Sequence, residues 1–121
     1  MRLIPRDLAR IGQMVIARGQ WEGRTIVPAA WLEASFKTAA TVRDGQSYGY
    51  LWRVGEIAYP SKTGIRGERY VMGFGNGGQL LAIVPARALV VVVTAGNYND
   101  PNDWQVPDEV LRHFVLPSLK A

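Results

Sequence analysis

Two apolar runs separated by four residues constrain this chain most. Gln79–Val84 and Leu89–Thr94 are each of strand length, and Pro85-Ala86-Arg87-Ala88 between them reads as a hairpin turn. Val90–Val93 is an unbroken β-branched stretch, which predicts a central strand covered on both faces. A strand pair this apolar must be buried by something, and the rest of the chain supplies amphipathic helices to do it.

The first of these is expected to start at Pro5, whose ring suits an initial helical position, with Asp7 near the positive end of the helix dipole. Leu8, Ile11, Gly12 and Val15 follow the spacing of one helical face, and Gly19 is a stop signal. Gly12 weakens a helix, so its place is explained by close packing against a neighbour. Trp21–Val27 reads as a tight turn around Gly23 with a short extended arm, and Pro28 opens a second helix over Ala29–Phe36. Lys37–Ser47 is polar and reads as a loop. Tyr48–Val54 and Arg69–Phe74 are expected strands, with Gly55–Gly67 between them as a loop or loose hairpin. A polar stretch, Gly96–Pro107, leads to a last helix opened by Asp108, with Val110, Leu111, Phe114 and Val115 as its apolar face and Pro117 ending or kinking it. This order implies an α+β domain: an antiparallel sheet packed with N- and C-terminal helices.

The chain has 121 residues, 48% of them hydrophobic and 20% charged, which suits one folded soluble domain spanning 1–121. Its net charge of +4 comes from arginines scattered along the chain, without the clustered basic stripe of a nucleic-acid surface. No stretch reaches the ~20 apolar residues of a membrane span. The first residues lack the charged head and apolar stretch of a secretory signal, and the compartment stays open. With no cysteine, there is neither a disulfide nor a thiolate nucleophile.

Several short motifs invite chemistry. Gly73-Phe74-Gly75-Asn76-Gly77-Gly78 matches the glycine pattern of dinucleotide sites, but an apolar strand follows it where a helix is needed to hold the pyrophosphate, so no cofactor is expected. The glycines still let a ligand or another backbone approach closely. Ser61-Lys62-Thr63-Gly64 contains the K-T-G triplet of penicillin-recognising serine enzymes; Ser61 and Lys62 are adjacent, so in an extended chain they point to opposite sides. His113 is the single histidine and cannot make a histidine metal cluster. Asp100 and Asp103 lack the glycine and closing glutamate of a calcium loop, so no metal is expected. None of Ser35, Ser47, Ser61 and Ser118 begins an S-x-x-K or lies in G-x-S-x-G.

Taken in order, several segments carry a resemblance. They are Arg2 to Gly12, Trp21 to Trp31, Tyr48-Gly49-Tyr50-Leu51-Trp52, Gly75-Asn76-Gly77-Gly78-Gln79 with Val84-Pro85, and Leu89 to Val93. The set resembles the C-terminal part of serine hydrolases of the β-lactamase class C type, which include penicillin-binding proteins, D-aminopeptidases and esterases. The resemblance implies a larger parent fold, whose missing N-terminal portion would carry the acylated serine of S-x-x-K and a Y-x-N motif. It implies that Asn76, Gly77 and Gly78 occupy the third-motif position, Asn76 standing where the family has lysine or histidine. Gly75 and Gln79 would flank a strand edge that binds an extended substrate through backbone groups, one N–H helping to stabilise an oxyanion. The chain is then an incomplete part of an enzyme, inactive alone, with a non-catalytic binding or scaffold module as the alternative. A self-sufficient hydrolase using Ser61 or another serine with Lys62 is a third reading. An uncovered strand edge predicts self-association into a homo-oligomer.

Overall fold

A computed structural model describes residues 3–37, 39–41 and 46–120. Helix α1, Pro5–Ile16, starts on Pro5, with the amides of Asp7 and Leu8 donating to the Ile4 carbonyl and no side-chain cap at Ile4. It ends through Arg18 and Gly19, both at positive φ, where the Gly19 amide donates to the Met14 carbonyl at 2.8 Å. Strands β1, Gln20–Trp21, and β2, Arg24–Thr25, form a small hairpin, and α2 spans Ala29–Ser35.

The described strands β3 (Ala40–Thr41), β4 (Ser47–Tyr48), β5 (Arg53–Ser61), β6 (Gly64–Gly75), β7 (Gln79–Val84) and β8 (Leu89–Val93) form one antiparallel sheet in chain order. The C-terminal helical run comprises α3, Gln105–Glu109, a widened π-helical stretch, Val110–Val115, and α4, Leu116–Ser118. The widened turns end beside Pro117, which lacks the N–H that a continuing α ladder would use.

The sheet has a helical layer on each face, and strand alternation sorts the core between them. Leu81, Ile83, Val71 and Val54 pack with Val15 of α1 and Leu32 of α2. Leu80, Ala82, Val84, Ile57, Tyr59 and Tyr70 pack with Leu111 and Leu116 of the C-terminal helix. The fold is therefore the expected α+β arrangement of an antiparallel sheet with N- and C-terminal helices. Gly12 makes the first layer possible: a Cβ there would lie 2.5 Å from Val90 Cγ1 and 3.2 Å from Leu81 Cδ1.

Of the two expected forms for Gly55–Gly67, a loop or a loose hairpin, the hairpin is found, and it is fully paired: β5 and β6 run together from Arg53↔Met72 to Ser61↔Gly64. Its glycines and Pro60 dilute the strand signal, while the pairing partner supplies the order. Four other local expectations are corrected. Tyr48–Val54 is interrupted at Gly49–Trp52, where Leu51 takes φ +67 and the Tyr50 amide donates to the Ser35 carbonyl. Part of the expected Lys37–Ser47 loop is strand: Ala40–Thr41 pairs with Ser47–Tyr48, while residues 38 and 42–45 lie outside the described residues. The final helix begins at Gln105, three residues before Asp108, because Pro107 falls in the first turn, whose N–H groups have no intrahelical partner. Val90–Val93 lies in the last strand of the described sheet, not in a central one. Val90 and Val92 pack toward α1, and Val91 and Val93 toward the opposite cluster. A β-branched run therefore reported covered faces, which an edge strand can also have. The strand buried on both faces is β7, flanked by β6 and β8, where Leu80–Val84 is buried.

Candidate functional site

The third-motif residues sit in the turn that joins β6 to β7. Gly77 and Gly78 both take positive φ, +95 and +86, which glycine adopts at little cost. A Cβ on Gly78 would also meet the Asp103 carbonyl oxygen at 2.5 Å. The turn is stapled to the Asn97–Asp103 segment by a set of polar bonds. Asn76 Nδ2 donates to Asn99 Oδ1 at 3.2 Å, and the Asn99 amide donates to Asn76 Oδ1 at 2.9 Å. The Gly77 amide donates to Asp103 Oδ2 at 2.7 Å, the Asn97 amide to the Gly77 carbonyl at 3.1 Å, and Gln79 Nε2 to the Tyr98 hydroxyl at 3.1 Å.

These bonds decide what the turn can offer. The N–H groups of Gly77 and Gly78 are already used, the second by the Gly75 carbonyl at 3.3 Å. Both ends of the Asn76 amide are used as well. Gly75 and Gln79 face one another across the β6–β7 ladder, inside the sheet. The expected strand edge at these residues is therefore the closed end of a hairpin, in which Asn76 is exposed while Gly77 and Gly78 are buried against the Asn97–Asp103 segment. Sequence reading missed Asn97, Asn99 and Asp103 as partners, since a polar loop carries no periodicity to announce them.

Ser61 and Lys62 lie at the opposite end of the β5–β6 hairpin. The eleven residue steps from Gly64 to Gly75 correspond to roughly 36 Å along the strand. Ser61 Oγ donates to the Gly64 carbonyl at 2.7 Å, inside its own turn. Ser35 and Ser118 likewise donate to the carbonyls of Leu32 and Val115, each at 2.7 Å. Among the described residues no serine is hydrogen-bonded to a histidine, lysine or carboxylate that could take its proton. His113, on the C-terminal helical run, is exposed. No cluster of three histidine, cysteine or acidic residues able to hold a metal occurs among the described residues, and no described helix is long and apolar enough to cross a membrane.

A concavity lies between the sheet and the C-terminal helix. It encloses about 720 Å³ and is floored by Gly55, Tyr70, Met72, Phe74 and Leu80, with Leu111 and Arg112 on the helix side. Gly55 leaves room for the Tyr70 ring: a Cβ there would lie 2.8 Å from the Tyr70 hydroxyl. Tyr70 is 3% exposed, and burial raises its phenol pKa above the ordinary value. Asp108 adds to that rise, while Arg53 and Arg112 oppose it. The Arg53 guanidinium lies 5.2 Å from the centre of the Phe74 ring. Arg112 is held by both carboxylate oxygens of Asp108, at 3.0 and 3.1 Å, and donates to the Ala58 carbonyl.

Neither a model of a known protein family nor a curated protein sequence matches this chain.

Proposed function

We propose that the chain is the C-terminal portion of a β-lactamase-like serine hydrolase, which cleaves β-lactam, D-peptide or ester bonds through an acyl-serine formed elsewhere in a longer parent. The observation that carries this reading is the set of ordered motifs falling on one packed unit. The α1 segment packs on β7 and β8, and the Asn76-Gly77-Gly78 turn leads directly into that strand pair. The engaged serines agree with an absent nucleophile, since each bonded hydroxyl donates its proton to a backbone carbonyl. In such a parent, the Asn76 turn would shape the end of the substrate site and leave proton transfer to other residues.

The bonding of Asn76 to Asn99 favours a second reading, a binding or scaffold module descended from such an enzyme, because a locked amide suits a structural role. Under either reading, the outer edge of β8 is proposed to pair with a second copy. Leu89–Val93 contains no charge, proline or glycine to discourage strand addition.

The deciding experiment exposes two proteins to a serine-reactive phosphonate and to a penicillin and weighs the products. This chain alone should form no adduct. The longer polypeptide encoded with it should form one, on the serine of an S-x-x-K. An adduct on Ser61 or any other serine of the isolated chain would overturn the incomplete-enzyme reading, and an unlabelled long form would leave the scaffold reading.

A further inference from the structure

The groove beside Tyr70 has the composition of a ligand site, and the function proposed above does not use it. Its walls are mostly apolar, from Met72, Phe74, Leu80 and Leu111, and its volume of about 720 Å³ lies within the range of small-molecule pockets. Two polar groups on it stand apart from the internal bonding. The Tyr70 ring is buried, but no buried polar side-chain atom among the described residues lacks a hydrogen-bond partner, so its hydroxyl, which bonds to no described residue, is the accessible tip of the side chain. A ligand acceptor can reach it there.

Arg53 is the second group. Four charged residues line the groove: Arg53, Glu56, Asp108 and Arg112. Asp108 and Arg112 neutralise one another across one helical turn. Glu56 lies opposite Arg69 in the β5–β6 ladder, on strand positions that alternate to the other face of the sheet. Arg53 has no ion pair among the described residues, and its guanidinium rests against Phe74. The contact keeps the guanidinium over the groove, and its planar fork is the shape that makes two parallel hydrogen bonds to a carboxylate.

We propose that this groove binds a small carboxylate with an aromatic or branched apolar body, its carboxylate held by Arg53 and the Tyr70 hydroxyl and its body lying on Met72, Phe74 and Trp104. The site is non-covalent and independent of any serine chemistry.

The test is calorimetric titration of the intact chain with 2-naphthoate and with its neutral isostere 2-naphthamide. The carboxylate should bind about tenfold more tightly than the amide, as expected for a charge-assisted pair. Arg53→Gln should remove that preference, Arg53→Lys should restore part of it, and Tyr70→Phe should weaken the carboxylate about threefold or more. Arg6→Gln, away from the groove, should change nothing, and circular dichroism checks that each variant is folded. Equal affinity for acid and amide, no measurable binding of the acid at millimolar concentration, or a folded Arg53→Gln protein that keeps the preference would each overturn the proposal.

Discussion

Asn76 and Asn99 hold one another through both ends of the Asn76 amide. One bond runs from Asn76 Nδ2 to Asn99 Oδ1 at 3.2 Å, and the other from the Asn99 backbone amide to Asn76 Oδ1 at 2.9 Å. With the Gly77–Asp103 bond, they tie the β6–β7 turn to a loop more than twenty residues further along the chain. The geometry of the turn therefore depends on residues that no local motif contains.

The first prediction concerns this staple. Asp103→Ala leaves the partly buried Gly77 amide without its charged acceptor and should cost about 1–2 kcal/mol. Asn76→Ala removes two bonds at an exposed position and should cost about 1 kcal/mol or less. Urea denaturation of the two variants should rank them in that order.

A second prediction follows from the approach of α1 to β8. Gly12→Ala gains helix propensity but drives a methyl group against Val90 and Leu81, and the clash should dominate, destabilising by about 1–3 kcal/mol. In a Gly12→Ala/Val90→Ala double variant, the methyl occupies the space the valine vacates. The double variant should therefore lose less stability than the sum of the single losses. Strict additivity in thermal melts would place α1 elsewhere.

The third prediction tests how the C-terminal helix docks. Leu111 is completely buried against the Tyr59 and Tyr70 face of the sheet. Leu111→Ala should cost about 2–5 kcal/mol, whereas truncating exposed Phe114 on the same helical run should change stability by about 0.5 kcal/mol or less. Chemical denaturation of both proteins reads the difference directly.

Tyr70 supplies a pH dependence. Burial raises its pKa in the folded state, so folding favours the protonated phenol. Its contribution is present below the unfolded value near 10 and is lost as pH rises through the higher folded value. Stability should therefore fall in that alkaline window, less steeply in Tyr70→Phe. The variant should also lose a late-titrating phenolate from the ultraviolet absorbance titration.

The open edge of β8 gives the last prediction. Self-association should rise with concentration in light scattering, and Thr94→Lys, at the exposed residue that follows β8, should shift the protein toward monomer by placing a charge beside the pairing edge. A wild-type protein that stays monomeric at high concentration would count against pairing through β8.

The existence of the layers was legible in the linear order of residues. Pro5 and Gly19 bracket α1, the apolar runs around Pro85 form the predicted hairpin, and the spacing of Leu111 and Val115 marks a helix that packs on one side. These are local signals, because dihedral preferences and periodicity act within a few residues. Tertiary pairing decided the rest. β5 and β6 become one long ladder despite Gly55, Gly64 and Gly67, since each strand completes the hydrogen bonds of the other. The run Val90–Val93 announces buried faces, but its position at the edge depends on which strands pair, and composition does not encode that. The candidate site divides in the same way. Asn76, Gly77 and Gly78 could be singled out by motif, whereas Asn99, Asp103, Tyr70 and Arg53 acquire roles only through partners distant in sequence. Periodicity along the chain determined which residues are buried; closure of the sheet and its helices determined which polar groups were left facing one another.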